Sequence, residues 1–87
     1  NPDPEGRARI LEIHTRDMQL ADDVDTDAVA TDLDGYSGAD IASLATEAGM
    51  FAIRDGRTEV SHADFVAATE KLAEDDNVEI PGLDYQY

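Results

Sequence analysis

The fold follows from one stretch: Leu33-Asp34-Gly35-Tyr36-Ser37-Gly38-Ala39-Asp40-Ile41, running on through Thr46-Glu47-Ala48-Gly49-Met50-Phe51-Ala52-Ile53-Arg54. Ser37 and Asp40 stand three apart, the spacing at which a hydroxyl and a carboxylate cap each other's backbone amides at a helix start. Tyr36 and Ile41 flank that pair as a hydrophobic staple. Ile41, Leu44, Ala45, Ala48, Phe51 and Ala52 then recur at helical spacing. Gly35 stops the segment before this one, and Gly56 supplies its own C-terminal stop. The stretch therefore predicts a helix over residues 38–54, entered from a tight turn.

The same grammar repeats on both sides. Upstream, Asp25 is an N-cap with Val24 and Val29 as its staple, and Leu33 continues the apolar face, predicting a helix over 26–34. Downstream, Ser61 and Asp64 form a second capping box with Val60 and Phe65 as staple. They predict a helix over 62–73 with Phe65, Val66, Thr69 and Leu72 facing inward. At the start of the chain Asp3 caps and Pro4 suits the first helical position. Ile10, Leu11, His14 and Met18 share a face there, predicting a helix over 4–18. Residues 58–60 read as a short extended segment. Short connections between four amphipathic helices predict an all-α four-helix bundle. After Ala73 the apolar period stops. Residues 1–74 are thus expected to form one helical domain, and residues 75–87 a disordered, mobile acidic tail.

The 87 residues suit one small domain. Twenty-one acidic residues oppose six basic ones, a net charge of −15, yet 41% of the residues are hydrophobic and periodically placed. That periodicity argues for folding rather than disorder. Such a surface repels phosphate backbones and anionic lipid, so nucleic-acid and membrane partners are not expected. One lysine, Lys71, against five arginines and many aspartates predicts a halophilic source, where salt screens the self-repulsion. Without cysteine there is no disulfide framework or thiolate metal site. The opening Asn1-Pro2-Asp3-Pro4 has neither an initiator Met nor a signal-peptide pattern, which predicts a fragment of a longer protein.

No constellation in the chain predicts catalysis. His14 and His62 stand apart, and neither a nucleophile elbow, a His-Glu-x-x-His pair nor a Gly-x-x-x-x-Gly-Lys phosphate loop is present. Asp23, Asp25 and Asp27 alternate like the first ligands of an EF-hand, with Asp34 at the twelfth position. Ala28 stands where that loop needs Gly, and a helix N-terminus explains the carboxylates as well. A free-standing Ca²⁺-binding module is one rival reading. An acyl carrier modified at Ser37 is another, although Ser37 lies between Tyr36 and Gly38 and lacks the Asp-Ser-Leu context of such carriers.

Two segments taken together resemble a known family. Gly6-Arg7-Ala8-Arg9-Ile10-Leu11-Glu12-Ile13-His14-Thr15 and Gly35-Tyr36-Ser37-Gly38-Ala39-Asp40, with Glu47-Ala48 leading to Ala52-Ile53-Arg54, resemble the C-terminal lid domain of AAA+ ATPases. The resemblance runs over residues 4–72. It is strongest to the archaeal proteasome-activating nucleotidases and the regulatory ATPases of the 26S proteasome, with the tandem-ring AAA unfoldases close behind. It implies a homo-hexameric, cytoplasmic parent that binds ATP or ADP with Mg²⁺ on a large domain, unfolds protein substrates and feeds them to the 20S proteasome. The lid itself would be non-catalytic and would contact the neighbouring subunit. It implies that His14 reaches the adenosine and that the backbone at Gly38 and Ala39 lies against the nucleotide. Arg54 would be a surface ion-pair partner. The resemblance further implies that the C-terminus docks on the 20S outer ring through its last three residues. Here these are Tyr85, Gln86 and Tyr87, with Gln86 where the family has Tyr.

Overall fold

The computed structural model describes residues 2–78, with side chains as far as residue 74. Four helices succeed one another, α1 (Pro4–Thr15), α2 (Thr26–Thr31), α3 (Gly38–Arg54) and α4 (His62–Val78), and no strand forms among the described residues. The expected all-α, four-helix architecture is what the chain adopts.

Helix α3 is the central element, packed against α1 on one side and α4 on another, while α2 packs on α1. Its start is as the capping grammar predicts. The Asp40 amide donates to Ser37 Oγ at 3.1 Å and the Ser37 amide to Asp40 Oδ2 at 3.0 Å. Ile41, Leu44, Ala45, Ala48 and Ala52 are all buried, joined in one core by Leu11, Val29, Leu33, Val60, Phe65 and Ala68. Tyr36 and Val24 pack against that core, as staple residues should. Gly35 and Gly56 both have positive φ, 88° and 74°, the conformation that lets the chain leave one helix and turn toward the next.

Three boundaries differ from expectation. Helix α1 stops at Thr15 rather than Met18. The Thr15 hydroxyl donates to the Leu11 carbonyl at 2.8 Å, competing with the backbone for that acceptor and loosening the last turn. The chain then swings Met18 onto α3, where its Cε would lie 3.3 Å from a Cβ at Gly49. Helix α2 stops at Thr31 rather than Asp34, because the amides of Asp32 and Leu33 bond three residues back, to Val29 and Ala30. Helix α4 passes the expected end at Ala73 and reaches Val78. No Gly or Pro stands between Ala73 and Pro81, and extending an existing helix costs little.

Within α4 the inner face also departs from expectation. Val66 is exposed, and Ala68, three residues after Phe65, takes the buried position. Of the expected extended segment 58–60 only Val60 pairs, with Leu20 in an isolated parallel bridge, while residues 58 and 59 form a bend.

Candidate functional site

His14 lies on α1, one turn beyond Ile10 on the same side of the helix. Its imidazole is exposed and has no hydrogen-bond partner among the described residues. Ile10 packs at the start of α3, its Cδ1 lying 3.6 Å from where a Cβ on Gly38 would stand. The second turn of α1 is thereby seated on the Gly38 end of α3, and His14 stands on the next turn. Helix α1 starts here because the Gly6 amide donates to Asp3 Oδ1 at 2.7 Å and Pro4 leads the helix. It is held at this angle by Arg7, whose buried guanidinium donates from Nε to the Ala30 carbonyl at 2.8 Å.

At the α3 start the capping box satisfies the amides of Ser37 and Asp40 and leaves those of Gly38 and Ala39 without an acceptor among the described residues. Such amides, at the positive end of the helix dipole, favour an acceptor atom brought from outside. Gly38 has no positive φ, and a Cβ there would make an ordinary contact with Ile10. Nothing in the fold of this chain requires glycine at that position. Glycine there leaves the backbone uncovered by a side chain.

A cleft of about 190 Å³ beside this turn is lined by Asp34, Gly35, Tyr36, Asp40 and Leu72, with two carboxylates and no cationic side chain. Its carboxylates repel polyphosphate, and His14, Gly38 and Ala39 are not among its lining residues. A second, open groove of about 540 Å³ between α1 and α2 includes Glu5, Arg9, Glu12 and Asp27, and neither His14 nor Gly38 lines it. Mixed charge and openness give that groove no ligand preference.

Asp23, Asp25 and Asp27 are not gathered around a common point. Asp25 caps α2 by accepting from the amides of Asp27 and Ala28, and Asp23 accepts from the His62 amide on α4. Among the described residues no cluster of three or more His, Cys, Asp or Glu side chains could hold a metal ion. Ser37 is engaged as the α3 cap. Arg54, expected to ion-pair, instead lies over the Phe51 ring at 5.5 Å. Tyr85, Gln86 and Tyr87 lie outside the described residues. No described helix is long and apolar enough to cross a membrane.

One charged constellation escaped sequence reasoning. Arg57 donates from Nη1 and Nη2 to the two oxygens of Asp64 at 2.8 and 2.7 Å, from Nε to Asp55 at 2.7 Å, and from Nη1 to the Glu59 carbonyl. Asp64 is buried and also accepts from the Ser61 amide at 2.8 Å. The guanidinium, aided by Ser61 and opposed by burial, holds the Asp64 carboxyl down to about 2. The carboxylates in turn raise Arg57. The capping box singled out Asp64; only the sharp turn at Gly56, which brings Arg57 back over the α4 start, pairs the two.

A family model described as the AAA+ lid domain matches residues 23–67. Proteasome-activating nucleotidase 2 of Haloferax volcanii is 68% identical across 99% of this chain, which corresponds to 22% of that protein. Proteasome-activating nucleotidase 2 of Halobacterium salinarum is 54% identical across 98% of the chain and 21% of its own length. The proteasome-activating nucleotidase of Methanothermobacter thermautotrophicus is 54% identical across 82% of the chain and 17% of its length. The chain thus spans about a fifth of the length of the curated relatives it matches.

Proposed function

The chain belongs to the AAA+ lid domain family, and we propose that it closes over ATP or ADP held by a separate large domain of the same polypeptide, as the lid of a proteasome-activating ATPase. The His14 imidazole contacts the adenosine. The Gly38 and Ala39 amides lie against the nucleotide. Phosphates and Mg²⁺ belong to the large domain, and ATP hydrolysis there supplies the work of unfolding. The lid carries no catalytic residue and converts nucleotide state into a rigid-body displacement. The parent works in the cytoplasm as a homo-hexamer, each lid contacting the neighbouring subunit. It passes protein substrates to the 20S proteasome, with Tyr85, Gln86 and Tyr87 docking on the outer ring.

The observation that supports this reading is the seating of Ile10 on Gly38, with the exposed His14 imidazole one helical turn beyond Ile10 on the same side of α1. The experiment is steady-state ATPase kinetics on the full-length protein. His14→Ala is expected to raise KM for ATP about tenfold with a smaller change in kcat, the worth of roughly one hydrogen bond made in the bound state. An unchanged KM would remove His14 from the nucleotide. Deleting residues 85–87 is expected to abolish stimulation of 20S peptide hydrolysis while ATPase turnover persists; retained stimulation would remove the terminus from docking.

A further inference from the structure

The connections after α1 and after α3, residues 16–25 and 55–61, are bonded to each other. The Val60 amide donates to the Gln19 carbonyl at 2.8 Å, and the Ala21 amide donates to the Val60 carbonyl at 2.9 Å. Those two bonds make the parallel bridge between Leu20 and Val60. Next to it the amide of His62, the first residue of α4, donates to Asp23 Oδ1 at 3.2 Å. Val60 is buried and Leu20 packs against the core. These three bonds join the segment leaving α1 directly to the start of α4, without passing through α3.

Resting on the function proposed above, we infer that this bridge is a strut: Ala21 and Asp23 are positioning residues that transmit displacement of the nucleotide-facing helix α1 to α4, which leads in sequence to the C-terminal docking residues. The other route from α1 to α4 runs through α3, whose buried face combines Ile41 and Leu44 with Ala45, Ala48 and Ala52. Packed helix faces resist separation but allow small sliding motions. Backbone hydrogen bonds are directional and break when slid. The strut fixes the register that packing leaves soft. Asp23 is exposed, so its carboxylate serves this bond and not the core.

The test uses the full-length ATPase with 20S proteasome. Ala21→Pro removes one donor, Asp23→Ala removes one acceptor, and the two are combined. Asp23→Asn keeps an amide oxygen that accepts from the His62 amide. Stimulated peptide hydrolysis per ATP consumed is expected to fall about fivefold in each single variant and roughly 25-fold in the double variant, the population shifts that loss of one and of two net hydrogen bonds permit, with ATPase turnover held within about twofold. Asp23→Asn is expected to match the parent protein. The strut is overturned if the double variant stimulates normally, if turnover and stimulation fall in parallel, or if Asp23→Asn fails as Asp23→Ala does. Should Ala21→Pro not fold, the exposed Asp23 pair decides alone: a coupling loss in Asp23→Ala that Asp23→Asn lacks supports the strut, and equal behaviour refutes it. Deleting residues 85–87 in the same assay separates the failures. A truncated protein that still stimulates removes the docking reading and the strut with it. An inert truncation beside a fully active double variant removes the strut alone.

Discussion

Asp64→Asn removes the charge while the helix cap is kept, because Asn still offers an oxygen to the Ser61 amide. What is lost is the anionic partner of Arg57 and one bond of the fork made at 2.7 and 2.8 Å, since the Asn amide nitrogen cannot accept. The Asp64 carboxyl is held at about 2 against an ordinary 3.8. At about 1.36 kcal/mol per tenfold change in proton affinity, the interval from 3.8 to 2 sets a ceiling of roughly 2.4 kcal/mol on its contribution. Water reaches the pair, since the Arg57 side chain is 38% exposed against 5% for Asp64. Screening on that side brings the expected loss to about 1–2 kcal/mol. For a domain of this size that lowers the midpoint by roughly 5–15 °C. The sign with pH comes from the depressed carboxyl. Its contribution is complete above the unfolded value of 3.8 and is lost as pH falls from there toward 2. Thermal melts of both proteins by far-UV circular dichroism, at matched ionic strength from pH 7 to pH 2, read the difference; the other carboxylates titrate in both and cancel. The two curves should stand apart at pH 7 and meet near pH 2. A gap that is absent at neutral pH, or that persists unchanged at pH 2, would refute the assignment of Asp64 as the anionic partner of Arg57.

With a net charge of −15 the chain repels itself. Raising KCl from about 0.1 M to about 2 M shortens the screening length from roughly 10 Å to below 3 Å, and the melting midpoint should rise; a flat midpoint would show that packing alone holds the bundle. Gly38→Ala should leave the stability of this chain unchanged or raise it by up to about 0.5–1 kcal/mol, since the added Cβ meets Ile10 at an ordinary 3.6 Å. In the full-length ATPase the same substitution should weaken nucleotide binding. Loss of stability in the chain itself would mean that glycine there serves the fold.

The helix starts were legible because caps are local: Ser37 with Asp40, and Ser61 with Asp64, are read within four residues. Helix ends were less so. Where α1 stops depends on the Thr15 hydroxyl turning back to Leu11 and on Met18 finding Gly49, a partner 31 residues away in sequence. The exchange of Val66 for Ala68 on the inner face has the same origin. Both fit a helical period near Phe65, and only the approach of α3 decides between them. For the candidate site, sequence picked out His14, Gly38 and Ala39 through family likeness. The contact between the two segments runs through Ile10, whose place on the His14 face was legible but whose partner Gly38, 28 residues away, was not. The Leu20–Val60 bridge was half legible: an extended segment was expected at 58–60, but its partner across the molecule was not.

The alanines that α3 buries, Ala45, Ala48 and Ala52, invert the usual logic of mutational scanning. Truncation has nothing to remove at these places, so a scan that replaces each residue by alanine passes over these three core positions. Information there lies in enlargement. A valine or leucine must wedge a neighbouring helix outward, and tolerance should decline with each added methyl group. Sequence drift along this helix is bounded from above, by the space its neighbours leave.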